Sequence, residues 1–441
     1  GYLLGWATPS QVVVCIVCSE RKVTALSARF TQDYRPLYFL SALGAGGLSV
    51  SFFLYLMFLV DHPGRPVPTF DDLAAVYRTG TPVAVAGVTL TLTAITLFAA
   101  RHVQLMVANI RAYRRFLHTP QYRDLRSSNA EVTLLAVPLA LAMSVNVAFV
   151  LGALGVPGLW NAVEYLFPVA LLAMTAIGAY ALAVFGRYLG RILSHRGFDI
   201  DDTNHFSQAL PSFAFAMVAV GFSSSAAMST IRITSVIGVF GTFLFLTAAL
   251  AWMAVKLPVS FSAMLRHGMA PEAGPTLWIG IPILTLFGIA FVRVASGISH
   301  NLLGTQLTPV LPFVVLGLLF ATQLVMGLFG WTIMSRQGYF TRFVLGSERS
   351  IASYGLICPG VALSVLAMFF IHWGLIRTEV FDRFSPGHLV LLTAVGLVQA
   401  VTVAVLLRLD RKLLNGDRSG GGREDGGAEG PPVACSQLPG V

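Results

Sequence analysis

The chain alternates between long apolar stretches and short polar segments, and this alternation is its strongest pattern. Ten stretches of about 20 residues or more carry almost no charged side chains. Because a helix rises about 1.5 Å per residue, each stretch can cross the roughly 30 Å hydrocarbon layer of a bilayer. The sequence therefore predicts ten transmembrane helices, at residues 36–60, 81–100, 132–154, 163–186, 208–231, 234–255, 275–298, 309–334, 351–374 and 388–407.

The overall composition agrees with this pattern. Hydrophobic residues make up 56% of the chain and charged residues 11%, with a mean hydropathy of +0.75. A soluble globular domain carries about 25% charged residues. The predicted fold class is therefore an all-α integral membrane protein that is surrounded by lipids.

The formal net charge of +9 is unevenly distributed along the chain. Of the 29 Lys and Arg residues, 23 fall in the alternate segments that include both chain ends, and five fall in the segments between them. Positively charged loops are retained in the cytoplasm, so this asymmetry predicts that both ends are cytoplasmic and supports an even number of spans. The basic charge is explained by topology, and we expect no nucleic acid partner.

Three parts are predicted: a cytoplasmic or interfacial segment at 1–35, a membrane domain at 36–410 and a disordered tail at 411–441, which is rich in Gly, Pro, Asp and Glu. The longest inner loop, 101–131, is too short to fold into a nucleotide-binding domain, and no GxxxxGK[ST] phosphate loop occurs. Transport driven by ATP hydrolysis within the chain is therefore not expected, nor is an enzymatic activity.

Helix-breaking residues are concentrated in the odd-numbered spans. A proline in a helix removes a backbone donor and frees carbonyl groups, which in a membrane need protein or water as partners. Kinked odd-numbered helices around a cavity, in five helical hairpins, are therefore predicted, although proline is also tolerated in ordinary membrane helices. The residues concerned are Pro36, Gly44, Gly46, Gly47, Pro138, Pro211, Pro282, Pro359 and Gly360.

Polar side chains within the spans are few. Glu164 and Arg293 lie near predicted outer ends, where both are expected to reach the interface or to form a pair. A functional role is the alternative for both, because an ionisable group inside a span is costly. Ser223, Ser224 and Ser225 offer hydroxyl groups for a solute or for close helix packing. No Asp or Glu lies at the middle of a span, whereas proton- or sodium-coupled carriers usually place carboxylates there. This absence favours a neutral or mildly electropositive pathway suited to anions.

Cysteine and histidine residues leave a second interpretation open. Cys15 and Cys18 have the spacing of a redox or metal motif but lack the second pair that would make it specific, so no metal site is predicted. Nine histidines, among them His300 and His372 near the predicted outer side, keep a membrane redox protein that binds haem or quinone as the alternative. A scaffold protein without transport activity is a third alternative.

Three local motifs resemble one known family. The segment 275–279 has the pattern Pro-x-x-Trp-Ile and is followed by Pro282. In the segment 353–360 an aromatic residue, Tyr354, precedes Pro359. The first span begins with Arg-Pro-Leu-Tyr-Phe and is rich in glycine. Together with the ten spans, these motifs resemble the tellurite-resistance/dicarboxylate transporter family, which includes TehA and the plant slow-type anion channels. The chain is most similar to a divergent, TsoY-like branch, over residues of about 35–410.

The resemblance implies a fold, a function and an assembly. It implies a bacterial inner-membrane channel or passive transporter for small anions, such as dicarboxylates or inorganic oxyanions. Five odd helices would surround a pore within five even helices, in a homotrimer without a cofactor. A phenylalanine before the ninth-span proline blocks the pore in that family, whereas Cys358 occupies this position here.

Two sets of residues are predicted to form the pathway, one that lines the pore and one that could close it. Cys358 is assigned to the pore-lining set, and the alternative is that it is an inert buried thiol. The predicted pore-lining residues are Gly44, Gly47, Pro138, Ser223, Pro282, Cys358 and Pro359. The candidate gate residues, which replace the missing phenylalanine, are Phe149, Phe215, Phe222 and Phe287.

Overall fold

A computed structural model describes residues 34–195 and 206–414, and in these ranges it contains helices and connecting turns without a β-strand. The predicted segment before residue 34, the tail after residue 414 and the predictions for Cys15 and Cys18 lie outside the described residues. Ten helices within these ranges are long and apolar enough to cross a membrane, which confirms the predicted all-α membrane fold. They are α1 Pro36–Leu59, α2 Pro82–Phe116, α3 Asn129–Gly155, α4 Leu159–Ser194, α5 Phe206–Met228, α6 Arg232–His267, α7 Pro271–Leu302, α8 Val310–Arg336, α9 Ile351–Ile376 and α10 Pro386–Leu414.

The helices form an inner and an outer group. In the apolar part of each odd-numbered helix 56% to 94% of residues are buried, but only 17% to 44% in each even-numbered helix. Large apolar side chains, such as Leu90, Leu172, Phe240, Leu318 and Leu397, are exposed on the even helices. Apolar exposure on this scale suits a lipid environment, so the even helices form the outer layer.

The odd helices close into a ring. Each contacts the next in chain order, and α9 returns to contact α1. Each even helix also contacts the odd helix that precedes it, which gives the predicted five hairpins. Glycine permits the close approach of α1 and α9, because a Cβ atom built on Gly44 would lie 2.8 Å from Ile357, and one on Gly47 would lie 3.1 Å from Val361.

The prolines of four odd helices lie where a 3-10 segment changes to regular α-helix. Every odd helix begins with a 3-10 segment, and in α3, α5, α7 and α9 a proline follows within the first turn of regular α-helix. Proline is tolerated there because its missing N–H would have no partner within the helix. The prolines thus mark the change from 3-10 to α-helix at one end of the ring, and the kinks predicted from them stay a prediction. They are Pro138, Pro211, Pro282 and Pro359.

Two short helices lie outside the spans, and a partly buried ion pair joins three of the long helices. The helices Phe70–Thr79 and Pro120–Ser127 occupy the connections after α1 and α2. At the end of the ring where the odd helices begin, Asp410 accepts hydrogen bonds from Arg101 at 2.7 Å and from Tyr354 at 2.9 Å. These contacts fasten α2, α9 and α10 to one another.

The contact between α5 and α7 gives a prediction for stability. A Cβ atom on Gly297 would clash with the backbone carbonyl of Ala226, which a rotamer change cannot relieve. We expect Gly297→Ala to destabilise the protein by about 1–3 kcal/mol, as overpacking does. The matched control is Gly87→Ala on α2, where nothing lies within 4 Å of the added Cβ. Thermal unfolding in detergent measures both variants, and equal melting temperatures would contradict the close α5–α7 contact.

Candidate functional site

A cavity of about 150 Å³ lies inside the ring of odd helices. All five odd helices contribute to its wall, and most of the lining side chains are apolar. The polar groups of the wall are Asn146, Ser224, Thr285, Arg293 and Cys358, and no described Asp or Glu lines this space. The central cavity is therefore an apolar chamber with one positively charged side chain.

A wider vestibule of about 620 Å³ adjoins the central cavity at the end where the odd helices begin. Its wall includes residues of the 3-10 segments and the charged side chains of Arg35, Glu272 and Arg349. If both chain ends are cytoplasmic, as the charge pattern predicts, this inner vestibule faces the cytoplasm. Its wall reaches the central cavity at three residues that line both spaces, Phe213, Pro282 and Cys358.

A third space of about 350 Å³, the outer vestibule, lies at the opposite end of the ring. It shares Met57, Val67, Arg293 and Phe369 with the central cavity. The three spaces thus follow one another from one end of the ring to the other, separated by two narrow regions. This arrangement forms a discontinuous route through the protein.

The predicted pore-lining residues fall into two groups. Gly44, Gly47, Pro282 and Cys358 line the central cavity, and Pro359 lines the inner vestibule. Pro138 and Ser223 are buried but line none of the three spaces, and the Ser223 hydroxyl donates to the carbonyl of Val220 at 2.7 Å. The next residue, Ser224, lines the cavity instead, because adjacent residues on a helix point about 100° apart.

The side chains of the candidate gate residues point in different directions, and one of the four lines the central cavity. Phe149 lines the central cavity, whereas Phe287 lines none of the three spaces. Phe215 packs edge to face on Phe185 of α4, with ring centroids 5.4 Å apart, and Phe222 stacks on Phe245 of α6 at 5.7 Å. Phe215 and Phe222 therefore fasten α5 to the outer helices and are unsuited to a gate.

Phe213, which the sequence analysis did not identify, lies at the narrow region between the inner vestibule and the central cavity. Its ring is buried, and Pro282 and Cys358 line the same region. Two residues along a helix correspond to a rotation of about 200°, so Phe213 and Phe215 point in nearly opposite directions. The sequence gives no signal to choose between them because α5 is buried on almost every side.

Arg293 also differs from its prediction. The sequence predicts an interfacial or paired side chain, whereas the structure places its guanidinium between the central cavity and the outer vestibule. Its Nη1 donates to the carbonyl of Val220 at 3.2 Å and to the Ser224 hydroxyl at 2.8 Å. No carboxylate pairs with it in the part of the chain that the structure describes, and its Nε and Nη2 make no hydrogen bond to described residues.

Glu164, by contrast, remains near the outer end of α4, as predicted. Its carboxylate accepts hydrogen bonds from the Ser229 hydroxyl at 2.7 Å and from the backbone N–H of Thr230 at 2.7 Å. These bonds satisfy the carboxylate and hold the turn between α5 and α6 against α4. Glu164 therefore has a structural role and contributes no charge to the three spaces.

The two histidines named for the alternative of a haem-binding protein have separate surroundings. His300 is exposed at the end of α7, and its nearest polar partner is Asn301 at 3.2 Å. His372 is buried, with its ring stacked on Phe58 at 4.2 Å and edge to face with His388 at 5.2 Å. Within the described ranges no group of three or more His, Cys, Asp or Glu side chains is arranged to hold a metal ion.

Comparisons with family models, with curated proteins and with solved structures find no match to this chain. The resemblance of the motifs to one transporter family therefore stays a prediction, and the interpretation of the site depends on its own geometry. What the structure establishes is a multi-pass, all-α membrane protein with a central cavity between two vestibules.

The position of Phe213 gives a test of the narrow region. If its ring closes the route, Phe213→Ala should raise ion conductance in planar bilayers severalfold, because a hydrophobic constriction blocks conduction by excluding water. Phe215→Ala is the matched control, since it removes the same ring two residues further along α5. We expect the control to lower thermal stability without raising conductance. An increase in the control alone would assign the gate to the other face of α5.

Proposed function

We propose that this protein is a channel or passive transporter for small anions, such as inorganic oxyanions or dicarboxylates. The route runs from the inner vestibule past Phe213 into the central cavity and leaves beside Arg293. Alternate loops rich in Lys and Arg support cytoplasmic positions for both chain ends. The resemblance of the motifs supports a location in a bacterial inner membrane and assembly as a homotrimer.

The observation that carries this proposal is the unpaired guanidinium of Arg293 in the wall of the route. An isolated charge within a membrane protein costs several kcal/mol unless a counter-charge or water offsets it. No described carboxylate supplies that counter-charge, whereas a passing anion would.

The surroundings of Arg293 also support selection for anions over cations. No described Asp or Glu lines the central cavity or the outer vestibule. The outer vestibule adds Arg65 and Arg377, although the charge of Arg65 is offset by its ion pair with Asp72. A cation would therefore meet positive charge and find no carboxylate to replace its water of hydration.

The absence of a carboxylate from the described part of the cavity wall also bears on the mechanism. A carrier coupled to protons or sodium needs a group that binds the coupling ion near the middle of the membrane. The Asn146 amide, the Ser224 and Thr285 hydroxyl groups and the Cys358 thiol are neutral groups in this wall. Passive movement down the electrochemical gradient of the anion is therefore the mechanism we propose.

Reconstitution tests the proposal directly. Proteoliposomes should take up nitrate or chloride without a proton or sodium gradient, and Arg293→Gln should reduce this uptake about tenfold or more, because hydrogen bonds to a charged group contribute about 1.5–3 kcal/mol. Arg78→Gln is the control, since it removes one positive charge from an exposed position outside the three spaces. Uptake that requires a proton or sodium gradient would contradict the passive mechanism, and equal uptake by Arg293→Gln and the native protein would contradict the role of Arg293.

A further inference from the structure

A buried histidine nitrogen in the wall of the outer vestibule has no partner. His372 lines this vestibule and is 8% exposed. Its Nδ1 lies 2.8 Å from the carbonyl oxygen of Met368, one helical turn earlier. A carbonyl oxygen only accepts hydrogen bonds, so Nδ1 carries the hydrogen, and in the neutral ring Nε2 carries the lone pair. Among the described residues this Nε2 has no hydrogen-bond partner.

In the neighbouring His388 the two ring nitrogens have the opposite hydrogen-bonding roles. The Nδ1 of His388 accepts a hydrogen bond from the backbone N–H of Phe384 at 2.9 Å, so its Nε2 carries the hydrogen in the neutral ring. This Nε2 is also buried and has no partner in the described part of the chain. The two rings are edge to face, 5.2 Å apart, yet their nitrogens do not bond to each other. His388 does not line the outer vestibule, so His372 is the histidine whose acceptor belongs to the wall of this space.

Two arginines in the wall of the same vestibule, Arg293 and Arg377, are suited to bind an anion. Arg377 lies over the ring of Trp373, 3.7 Å from its centroid, and Arg293 leaves its Nε and Nη2 without a partner. Neither arginine forms an ion pair with a described carboxylate. The flat guanidinium group of arginine matches two oxygens of a planar oxyanion better than it matches a spherical halide.

We infer that the outer vestibule binds a small, singly charged oxyanion that carries a hydroxyl group, with Arg293 and Arg377 opposite its charged oxygens and His372 accepting its hydroxyl hydrogen. This inference names a solute class for the proposed function. It rests on the proposed function for the route by which the anion leaves the site. The class includes hydrogencarbonate and dihydrogen phosphate. It excludes nitrate as a preferred ligand, since nitrate has no hydrogen to donate.

Hydrogencarbonate and nitrate form a matched pair of probes. Both are planar and singly charged and have three oxygens, so they differ mainly in the hydroxyl group. We measure the external concentration that gives half-maximal conductance for each ion, at a mildly alkaline pH where hydrogencarbonate predominates. The native protein should need about three- to tenfold less hydrogencarbonate than nitrate, which is the range of one net hydrogen bond.

Substitutions at His372 separate the hydroxyl contact from the charge. His372→Phe keeps a ring that stacks on Phe58 but removes the hydrogen-bond acceptor. The half-saturating concentration of hydrogencarbonate should therefore rise until it equals that of nitrate. His372→Gln supplies a carbonyl oxygen and should retain part of the preference. Arg377→Gln should raise both concentrations together and leave their ratio unchanged. His300→Phe, at an exposed position outside the vestibule, is the control and should alter neither.

Binding measured without transport distinguishes the two proposals. Each salt is titrated into detergent-purified protein, and the rise in melting temperature gives its affinity. If hydrogencarbonate binds more tightly through His372 but neither ion is conducted, the site stands and the permeation proposal fails. If both ions are conducted and the native protein shows no preference, or if His372→Phe retains the full preference, the site is overturned.

Discussion

The closed ring of α1, α3, α5, α7 and α9 is the constraint on which the rest of this structure depends. A backbone group that meets lipid without a hydrogen-bond partner costs several kcal/mol, so irregular backbone and polar side chains must be enclosed by protein. The even helices provide this enclosure, because their apolar side chains face outward while the ring is buried behind them. The ring therefore tolerates groups that could not face lipid, namely 3-10 segments, serine hydroxyls and a guanidinium group. The chemistry of the protein is therefore confined to the axis of the ring.

Charge pairing distinguishes two groups of arginines in this structure. Arg101 pairs with Asp410, and Arg191 pairs with the buried Glu131 at 2.8 Å, which ties outer helices to the inner layer. These pairs lie at the end of the ring where the odd helices begin, and their charges are offset. At the other end, Arg293 and Arg377 keep their charge without a described carboxylate partner. This difference gives the wall of the outer vestibule an excess of positive charge, which is the basis for proposing an anion as the solute.

The 3-10 segments that begin all five odd helices show that the five hairpins share one local structure. In four of them a proline follows the 3-10 segment within the first turn of α-helix, so the same local geometry recurs around the ring. Pro282 and Pro359 place this geometry at the wall of the inner vestibule, and Cys358 lies beside Pro359 at the narrow region. Proline thus contributes to the wall of the inner vestibule.

The sequence by itself determined the class of the protein, the number of spans and the inner position of the odd helices. Length and apolarity decide whether a segment crosses a bilayer, and the concentration of proline and glycine marks the helices that pack closely around a cavity. It also indicated part of the site, since Gly44, Gly47, Pro282 and Cys358 line the central cavity. The tertiary structure alone decided which face of each inner helix points to the axis, and so selected Phe213 over Phe215, Ser224 over Ser223, and an inward Arg293. The physical reason is that a helix buried on nearly every side has no polar face to reveal its orientation, so the packing of its neighbours sets its rotation.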